Sequence, residues 1–247
     1  GGKKHLYQLP WYIIIGPPGA GKTTALANSG LHFPLADKFG DDALQGVGGT
    51  RNCDWWFADE AVLIDTAGRY TTQDSQQDVD KAAWSGFLEI LKKNRERQPI
   101  NGAIIAISLA ELAVMSEEER KSHARAIKER LRELNDAFNV RFPIYVLLTK
   151  ADLIAGFMEF FEDMGGDERA QVWGMTFPFE EDGSTAAAAD LLDNRYDELL
   201  PRLNDRLLER WQQEAEGERR GLIYGVPRQM ASLKEPISDF LAEVFRP

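Results

Sequence analysis

Apolar residues alternate along the chain between two patterns. Short, nearly continuous apolar runs are typical of strands buried on both faces, and they cover residues 11–15, 53–57, 61–65, 102–108, 143–148 and 171–177. Between these runs, apolar residues recur at helical spacing over residues 23–29, 80–95, 116–138 and 153–163. Alternating strands and helices predict an α/β fold with a mostly parallel sheet and helices on both faces.

After Phe177 the pattern changes, and apolar residues recur at helical spacing over long segments. A linker over residues 178–189 precedes a stripe that Pro201 interrupts, which predicts a helix start or a kink there. A last helix is predicted over residues 228–245, and the run Leu222–Pro227 before it is either a strand or a turn. The sequence therefore predicts an α/β domain over residues 1–180 and a helical extension over residues 181–247.

One helix carries a start signal. Ser116 is followed three residues later by Glu119, the spacing of a capping box in which each residue satisfies the backbone N–H of the other. The pattern predicts that a helix begins beside Ser116.

The first strand leads directly into a Gly-x4-Gly-Lys-Thr loop, from Gly16 to Thr23. Glycines let consecutive backbone N–H groups turn toward a polyphosphate, and the following helix presents its positive end. Lys22 is expected to reach the β- and γ-phosphates, and Thr23 to bind Mg²⁺. The alternative is a plain turn joining strand to helix. The predicted nucleotide contacts are Gly16, Pro17, Gly19, Ala20, Gly21, Lys22, Thr23 and Thr24.

Two further segments fit a site for a Mg²⁺-bound triphosphate. Asp65 ends an apolar strand, where it can hold Mg²⁺ through water, and Gly68 lets its N–H approach the γ-phosphate. Thr50 closes the glycine-rich run Gly46–Thr50 and can bind the metal when triphosphate is present. A flexible glycine loop is the alternative for that run. The predicted metal ligands are Thr23, Thr50 and Asp65.

The strand predicted over residues 143–148 is followed by Thr149-Lys-Ala-Asp152. Asp152 can accept hydrogen bonds from N1 and N2 of guanine, and the stem of Lys150 can pack over the base. Adenine has no matching donor pair, so the motif favours GTP. The alternative is that Lys150 and Asp152 simply begin the next helix.

Composition excludes several other classes. The formal net charge of −11 argues against a nucleic-acid partner, because phosphate backbones require clustered Lys and Arg. Cys53 is the single cysteine, so no internal disulfide can form, and three scattered His do not suggest a zinc site. The longest apolar stretch, residues 102–115, is too short to span a bilayer. A chain that is itself soluble is expected.

The order of these motifs resembles a Ras-type or translation-factor GTPase domain over the first 175 residues. The resemblance implies a P-loop NTPase with a small-GTPase-like sheet. Two positions depart from it: Thr149 stands where most members have Asn, and Arg69 stands where Ras-like enzymes have a water-positioning Gln. Strict guanine selectivity and fast intrinsic hydrolysis are therefore in question. Lys22 and Arg69, or Arg51 in its place, are the candidates that would neutralise charge on the transferred phosphoryl group.

Longer strings are similar to the cytoplasmic domain of TssM (IcmF-like) proteins of bacterial type VI secretion systems. The resemblance implies a soluble domain at the cytoplasmic face of the inner membrane, anchored through segments outside this chain. It implies TssL, TssJ and baseplate proteins as partners. The strings are Leu9-Pro-Trp-Tyr, Asn28-Ser-Gly-Leu, Phe33-Pro-Leu, Gly48-Gly-Thr-Arg-Asn-Cys-Asp-Trp-Trp-Phe, Asp65-Thr-Ala-Gly-Arg-Tyr, Gln171-Val-Trp-Gly and Val226-Pro-Arg-Gln.

Two functions remain open on the sequence. One is a Mg²⁺-dependent hydrolase of GTP or ATP, slow without a partner, that acts as a conformational switch. The other is a scaffold of the secretion complex in which nucleotide binding is weak or dispensable. A small-molecule kinase is disfavoured, because an acceptor pocket and an Arg-rich lid are not evident in the sequence.

Overall fold

A computed structural model describes residues 7–34, 53–71, 77–177 and 186–246. Three features predicted from the sequence lie outside these ranges: the glycine-rich run with Thr50, Arg51, and most of the linker before residue 186.

The described residues form a five-stranded sheet with the order β2-β3-β1-β4-β5. Strand β2 is antiparallel to β3, and all other neighbours are parallel. The predicted mostly parallel α/β sheet is confirmed. The strands are β1 (Trp11–Ile15), β2 (Cys53–Phe57), β3 (Val62–Thr66), β4 (Gly102–Ser108) and β5 (Ile144–Thr149).

The helices of the first half also lie near their predicted positions. The predicted capping box is present: Ser116 N donates to Glu119 Oε2 at 2.8 Å, and Glu119 N donates to Ser116 Oγ at 3.3 Å. Short 3₁₀ helices cover Gly68–Thr71 and Ala151–Leu153. The α-helices are α1 (Lys22–Ala27), α2 (Gln77–Asn94), α3 (Leu109–Val114), α4 (Glu117–Phe138), α5 (Phe157–Phe161), α6 (Gly166–Arg169), α7 (Ala186–Gln213) and α8 (Gly217–Phe245).

The strand predicted over residues 171–177 is wrong, because this segment has no strand structure. Val172 is 96% exposed, so the apolar run is not buried on both faces. Trp173 instead packs beside the helix α5, with its ring 5.8 Å from that of Phe157 and 5.5 Å from that of Phe161. The apolar character of this run reflects a local aromatic contact.

The last helix begins much earlier than predicted. α8 starts at Gly217 and includes the Leu222–Pro227 run, which is therefore neither a strand nor a turn. Pro201 likewise lies inside α7 and not at its start. A proline has no backbone N–H to donate within a helix. The helix α8 nevertheless continues through Pro227, because apolar side chains on both sides of it, such as Ile223 and Met230, are buried.

The chain divides into two compact units. The first unit contains residues up to Ser108 together with 125–149, and the second contains 109–124 together with the residues from Lys150 onward. The two units are groups of residues that pack together. The predicted division at residue 180 into an α/β domain and a helical extension stays a prediction.

In the first unit, an apolar core holds α1 against the sheet. Each buried Leu, Ile, Phe or Trp in such a core contributes about 1.5–3 kcal/mol relative to an exposed position. Because Leu26 of α1 lies in one core with residues of four strands, the loop that joins β1 to α1 has both ends anchored. The core residues are Ile14, Leu26, Phe33, Trp56, Ala58, Leu63 and Ala106.

In the second unit, α7 packs on α8 and carries a buried cation. The Tyr196 hydroxyl donates to Met230 O at 2.6 Å, and burial raises the pKa of Tyr196 to about 12. Arg210, 6% exposed, donates to Glu159 O at 3.0 Å and to Glu214 Oε2 at 3.1 Å. A buried guanidinium needs such partners, so Glu214 is a central acceptor of this unit.

Glu214→Gln is expected to lower the melting temperature at pH 7 and to have a much smaller effect near pH 2. The pKa of Glu214 is held at about 2, first by the Glu216 backbone N–H and then by Arg219 and Arg210. A lowered carboxylate pKa gives stability that is present above the unfolded value of about 4.3. That stability is lost as the pH falls toward 2. Thermal unfolding followed by circular dichroism across this range measures it.

The matched control is Glu235→Gln, an exposed position on α8. Its melting temperature should follow that of wild type at every pH. Parallel curves for wild type and Glu214→Gln down to pH 2 would contradict the assignment of an acid-sensitive contact to Glu214.

Candidate functional site

The loop after β1 depends on glycines at defined places. Gly19 and Gly21 have φ angles of 75° and 77°, which favour glycine, and Gly21 caps the start of α1. A Cβ on Gly16 would lie 2.4 Å from Ala106 O on β4. The loop therefore leaves the sheet at a point where only glycine fits.

Lys22 is the buried cation of this loop. Its side chain is 8% exposed, and Nζ donates to Gly16 O at 2.9 Å and to Pro17 O at 3.1 Å. Burial lowers the pKa of Lys22, and the nearby charge of Asp65 opposes that shift. The two carbonyls hold the ammonium within the loop.

Thr23 and Asp65 form a direct pair between α1 and β3. Thr23 Oγ1 donates to Asp65 Oδ2 at 2.6 Å. Asp65 is 6% exposed, and its Oδ1 is buried with no hydrogen-bond partner in the structure. Burial raises the pKa of Asp65, whereas the Thr23 bond and the Lys22 charge lower it. A hydroxyl and a carboxylate with an unsatisfied oxygen are the hard donors that Mg²⁺ prefers.

The turn after β3 contacts the same loop through its backbone. Thr66 Oγ1 donates to Ile14 O at 2.6 Å, which ties the end of β3 to β1. A Cβ on Gly68 would lie 2.4 Å from Pro18 N and 2.5 Å from Pro18 Cα. The structure thus brings Gly68 against the Gly16–Thr23 loop, and its predicted approach to a γ-phosphate stays a prediction.

Arg69 forms an ion pair with the helix α2. Its Nε donates to Asp80 Oδ1 on α2 at 2.7 Å, and its guanidinium lies 5.4 Å from the centre of the Tyr70 ring. For a catalytic role, Arg69 would have to reach a phosphoryl group with its terminal nitrogens or give up its bond to Asp80. Its predicted role stays a prediction.

Thr149 also reaches the loop. At the end of β5, its Oγ1 donates to Ala20 O at 2.6 Å and lies 3.1 Å from Ile107 O. Lys150 and Asp152 follow in the second unit, where Lys150 Nζ donates to Glu111 Oε1 at 2.8 Å and Asp152 lies exposed in a 3₁₀ helix. Their predicted contacts with a base stay a prediction.

Asp54 is a residue that the sequence analysis missed. It lies directly opposite Asp65 in the β2–β3 pairing and is 3% exposed. Burial and the charge of Asp65 raise the pKa of Asp54. The signal was a carboxylate within the apolar 53–57 run, but its meaning depends on the strand register, which the sequence did not provide.

The sequence profile of the IcmF-related N-terminal domain matches residues 77–247. The chain belongs to the IcmF-related family. It is 59% identical over 245 residues to the type VI secretion system component TssM1 of Pseudomonas aeruginosa, covering 99% of this chain. The IcmF-related chain spans 22% of the length of that relative. No solved structure matches it.

The resemblance to TssM (IcmF-like) proteins is therefore confirmed. The profile match begins at residue 77, so the Gly16–Thr23 loop of this IcmF-related chain precedes it. Within the described ranges, no helix has the length and apolarity that crossing a membrane requires.

Proposed function

We propose that the chain binds a Mg²⁺–nucleoside triphosphate in its first unit, hydrolyses it slowly, and acts as a conformational switch. The observation that supports this most is the buried Lys22 ammonium inside a glycine loop, beside the Thr23–Asp65 pair. A plain connecting turn gains nothing from burying a lysine, because burial disfavours its charged form.

Thr23 and Asp65 would hold the metal together with oxygens of the ligand. Among the described residues, no group of three or more His, Cys, Asp or Glu side chains could bind a metal ion, so the nucleotide must complete the coordination. The unpaired Oδ1 of Asp65 fits this role. Mg²⁺ would supply neutralisation of phosphate charge.

Lys22 and the loop N–H groups would bind the phosphates. Lys22 would exchange its bonds to Gly16 O and Pro17 O for bonds to phosphate oxygens, which are stronger because both partners are charged. Gly68 would donate its N–H near the γ-phosphate. We propose slow turnover because Arg69, the candidate catalytic cation, is paired with Asp80.

GTP is the proposed ligand, with ATP as the alternative. Asp152 would accept from guanine, and Lys150 would pack over the base. Thr149 would brace the loop through Ala20 O. This arrangement corresponds to a P-loop NTPase of the small-GTPase type.

We propose that this activity belongs to a type VI secretion system, because the relative TssM1 is a component of one. The proposed setting is the cytoplasmic face of the inner membrane, with TssL, TssJ and baseplate proteins as partners. The alternative function is a scaffold of that complex that needs no nucleotide, which the Arg69–Asp80 pair and the missing Gln favour.

Melting temperatures with and without Mg-GTP and Mg-ATP separate these functions. A ligand at 100 times its dissociation constant stabilises the protein by about 2.7 kcal/mol. We expect a larger shift with GTP than with ATP, and we expect Asp152→Ala to reduce the difference. Calorimetric titration of both nucleotides gives the affinities.

Asp136→Ala, an exposed position on α4, is the matched control and should leave the GTP-to-ATP ratio unchanged. Absence of any shift at millimolar nucleotide would support the scaffold. An unchanged ratio of GTP to ATP affinity in Asp152→Ala would contradict the proposed contact of Asp152 with guanine and leave the proposed phosphate site unaffected.

A further inference from the structure

Asp54 lies where the antiparallel strand β2 meets the carboxyl ends of the parallel strands. It is the second residue of β2, and Asp65, its pairing partner, is the penultimate residue of β3. The Cβ atoms of directly opposed residues in an antiparallel pair lie about 4.5–5.5 Å apart, on one face of the sheet. The two carboxylates are therefore neighbours.

The face that they share is the one covered by α1. Side chains alternate along a strand, so Asp54 lies on the same face as Trp56, and Asp65 on the same face as Leu63. Trp56 and Leu63 pack in one core with Leu26 of α1. Asp54 is thus on the side from which Thr23 reaches Asp65.

The local charges are unbalanced. Asp54 and Asp65 are 3% and 6% exposed, and Oδ1 of each is buried without a hydrogen-bond partner in the structure. Lys22 supplies one positive charge near Asp65, but its ammonium is bonded to two carbonyls. A further cation with its bound water would supply the partners that these two buried carboxylates lack.

We propose that Asp54 is a further carboxylate of the Mg²⁺ site, which holds a metal-bound water beside Thr23 and Asp65. This inference rests on the proposed nucleotide binding. Asp54 is a positioning residue, because it acts on the metal through water and touches neither the nucleotide nor the reacting atoms. Carboxylates of this kind orient the waters of Mg²⁺, which keeps several of them when bound to protein.

The test is the dependence of nucleotide affinity on metal. Calorimetry with a non-hydrolysable GTP analogue gives the dissociation constant in EDTA and in excess Mg²⁺, and their ratio measures the coupling. Outer-shell partners of a metal change its affinity by about 10- to 100-fold. Asp54→Asn should therefore reduce the coupling ratio about 10-fold and leave the affinity in EDTA unchanged.

Electron paramagnetic resonance with Mn²⁺ provides a second readout. In the presence of the analogue, the Mn²⁺ dissociation constant should rise about 10-fold in Asp54→Asn. Glu60→Gln removes one negative charge from an exposed position of the β2–β3 hairpin, and neither measurement should change in it. If Asp54→Asn does not fold, Asp54→Ser, smaller and equally uncharged, takes its place with the same expected results.

The possible outcomes distinguish the role of Asp54 from the proposed nucleotide binding on which it rests. If wild type binds the analogue neither in EDTA nor in excess Mg²⁺, the proposed nucleotide binding and the role of Asp54 are both overturned. If wild type shows metal coupling that Asp65→Asn loses and Asp54→Asn retains, the role of Asp54 alone is overturned. An equal loss of affinity with and without metal in Asp54→Asn would identify a packing role and would also overturn it.

Discussion

Replacement of Lys22 by Ala is expected to lower nucleotide hydrolysis by at least about 100-fold, the usual effect of removing one group that stabilises transition-state charge. The substitution also removes the bonds from Nζ to Gly16 O and Pro17 O, which close the loop. Release of phosphate under single-turnover conditions measures the chemical step, and calorimetry measures the loss of binding.

Lys93→Ala is the matched control, because Lys93 is an exposed lysine near the end of α2 in the same unit. It should hydrolyse nucleotide at the wild-type rate. Turnover by Lys22→Ala at the wild-type rate would mean that the loop is not the site of phosphoryl transfer.

The second large effect is expected at Gly156. Its φ angle is 81°, and a Cβ there would lie 2.3 Å from Leu222 O and 2.6 Å from Leu222 C. Both contacts are with the α8 backbone, which cannot move aside as a side chain can. Gly156→Ala should therefore destabilise the second unit by about 3 kcal/mol or more, from overpacking together with backbone strain. Denaturant unfolding measures this loss.

Gly221→Ala is the matched control, because it adds the same methyl group to α8 at a position without a close backbone contact. Gly221 is exposed on α8, and a Cβ there meets no atom within 4 Å. Alanine at a helix interior is favoured over glycine by about 1 kcal/mol, so this variant should be as stable as wild type or more stable. Equal midpoints for Gly156→Ala and wild type would show that α5 and α8 are not packed as described.

The strand, loop and helix from Trp11 to Ala27 could be predicted from sequence because each has a local signal. A continuous apolar run specifies β1, and the glycine spacing specifies the loop. The capping pair Ser116 and Glu119 is local in the same sense. Short-range patterns of this kind are independent of how distant segments pack.

Other features depend on packing between distant residues. The apolar run at Val172 and Trp173 has the composition of a strand, yet Trp173 is satisfied by the rings of α5. The sequence predicts a strand or a turn over Leu222–Pro227, but this run lies inside α8, where buried apolar residues override the local preference of Pro227. Asp54 could be recognised as a site residue only once the strand register placed it opposite Asp65.

The contact between Gly68 and Pro18 has a mechanical consequence. Two stretches of main chain touch there with no side chain between them, so no side-chain rotation can absorb a displacement of either one. A shift of the segment after β3 would push directly on the neighbouring loop, and a shift of that loop would push back. Signals between them can therefore pass as rigid displacement, without a relay of rotamer changes.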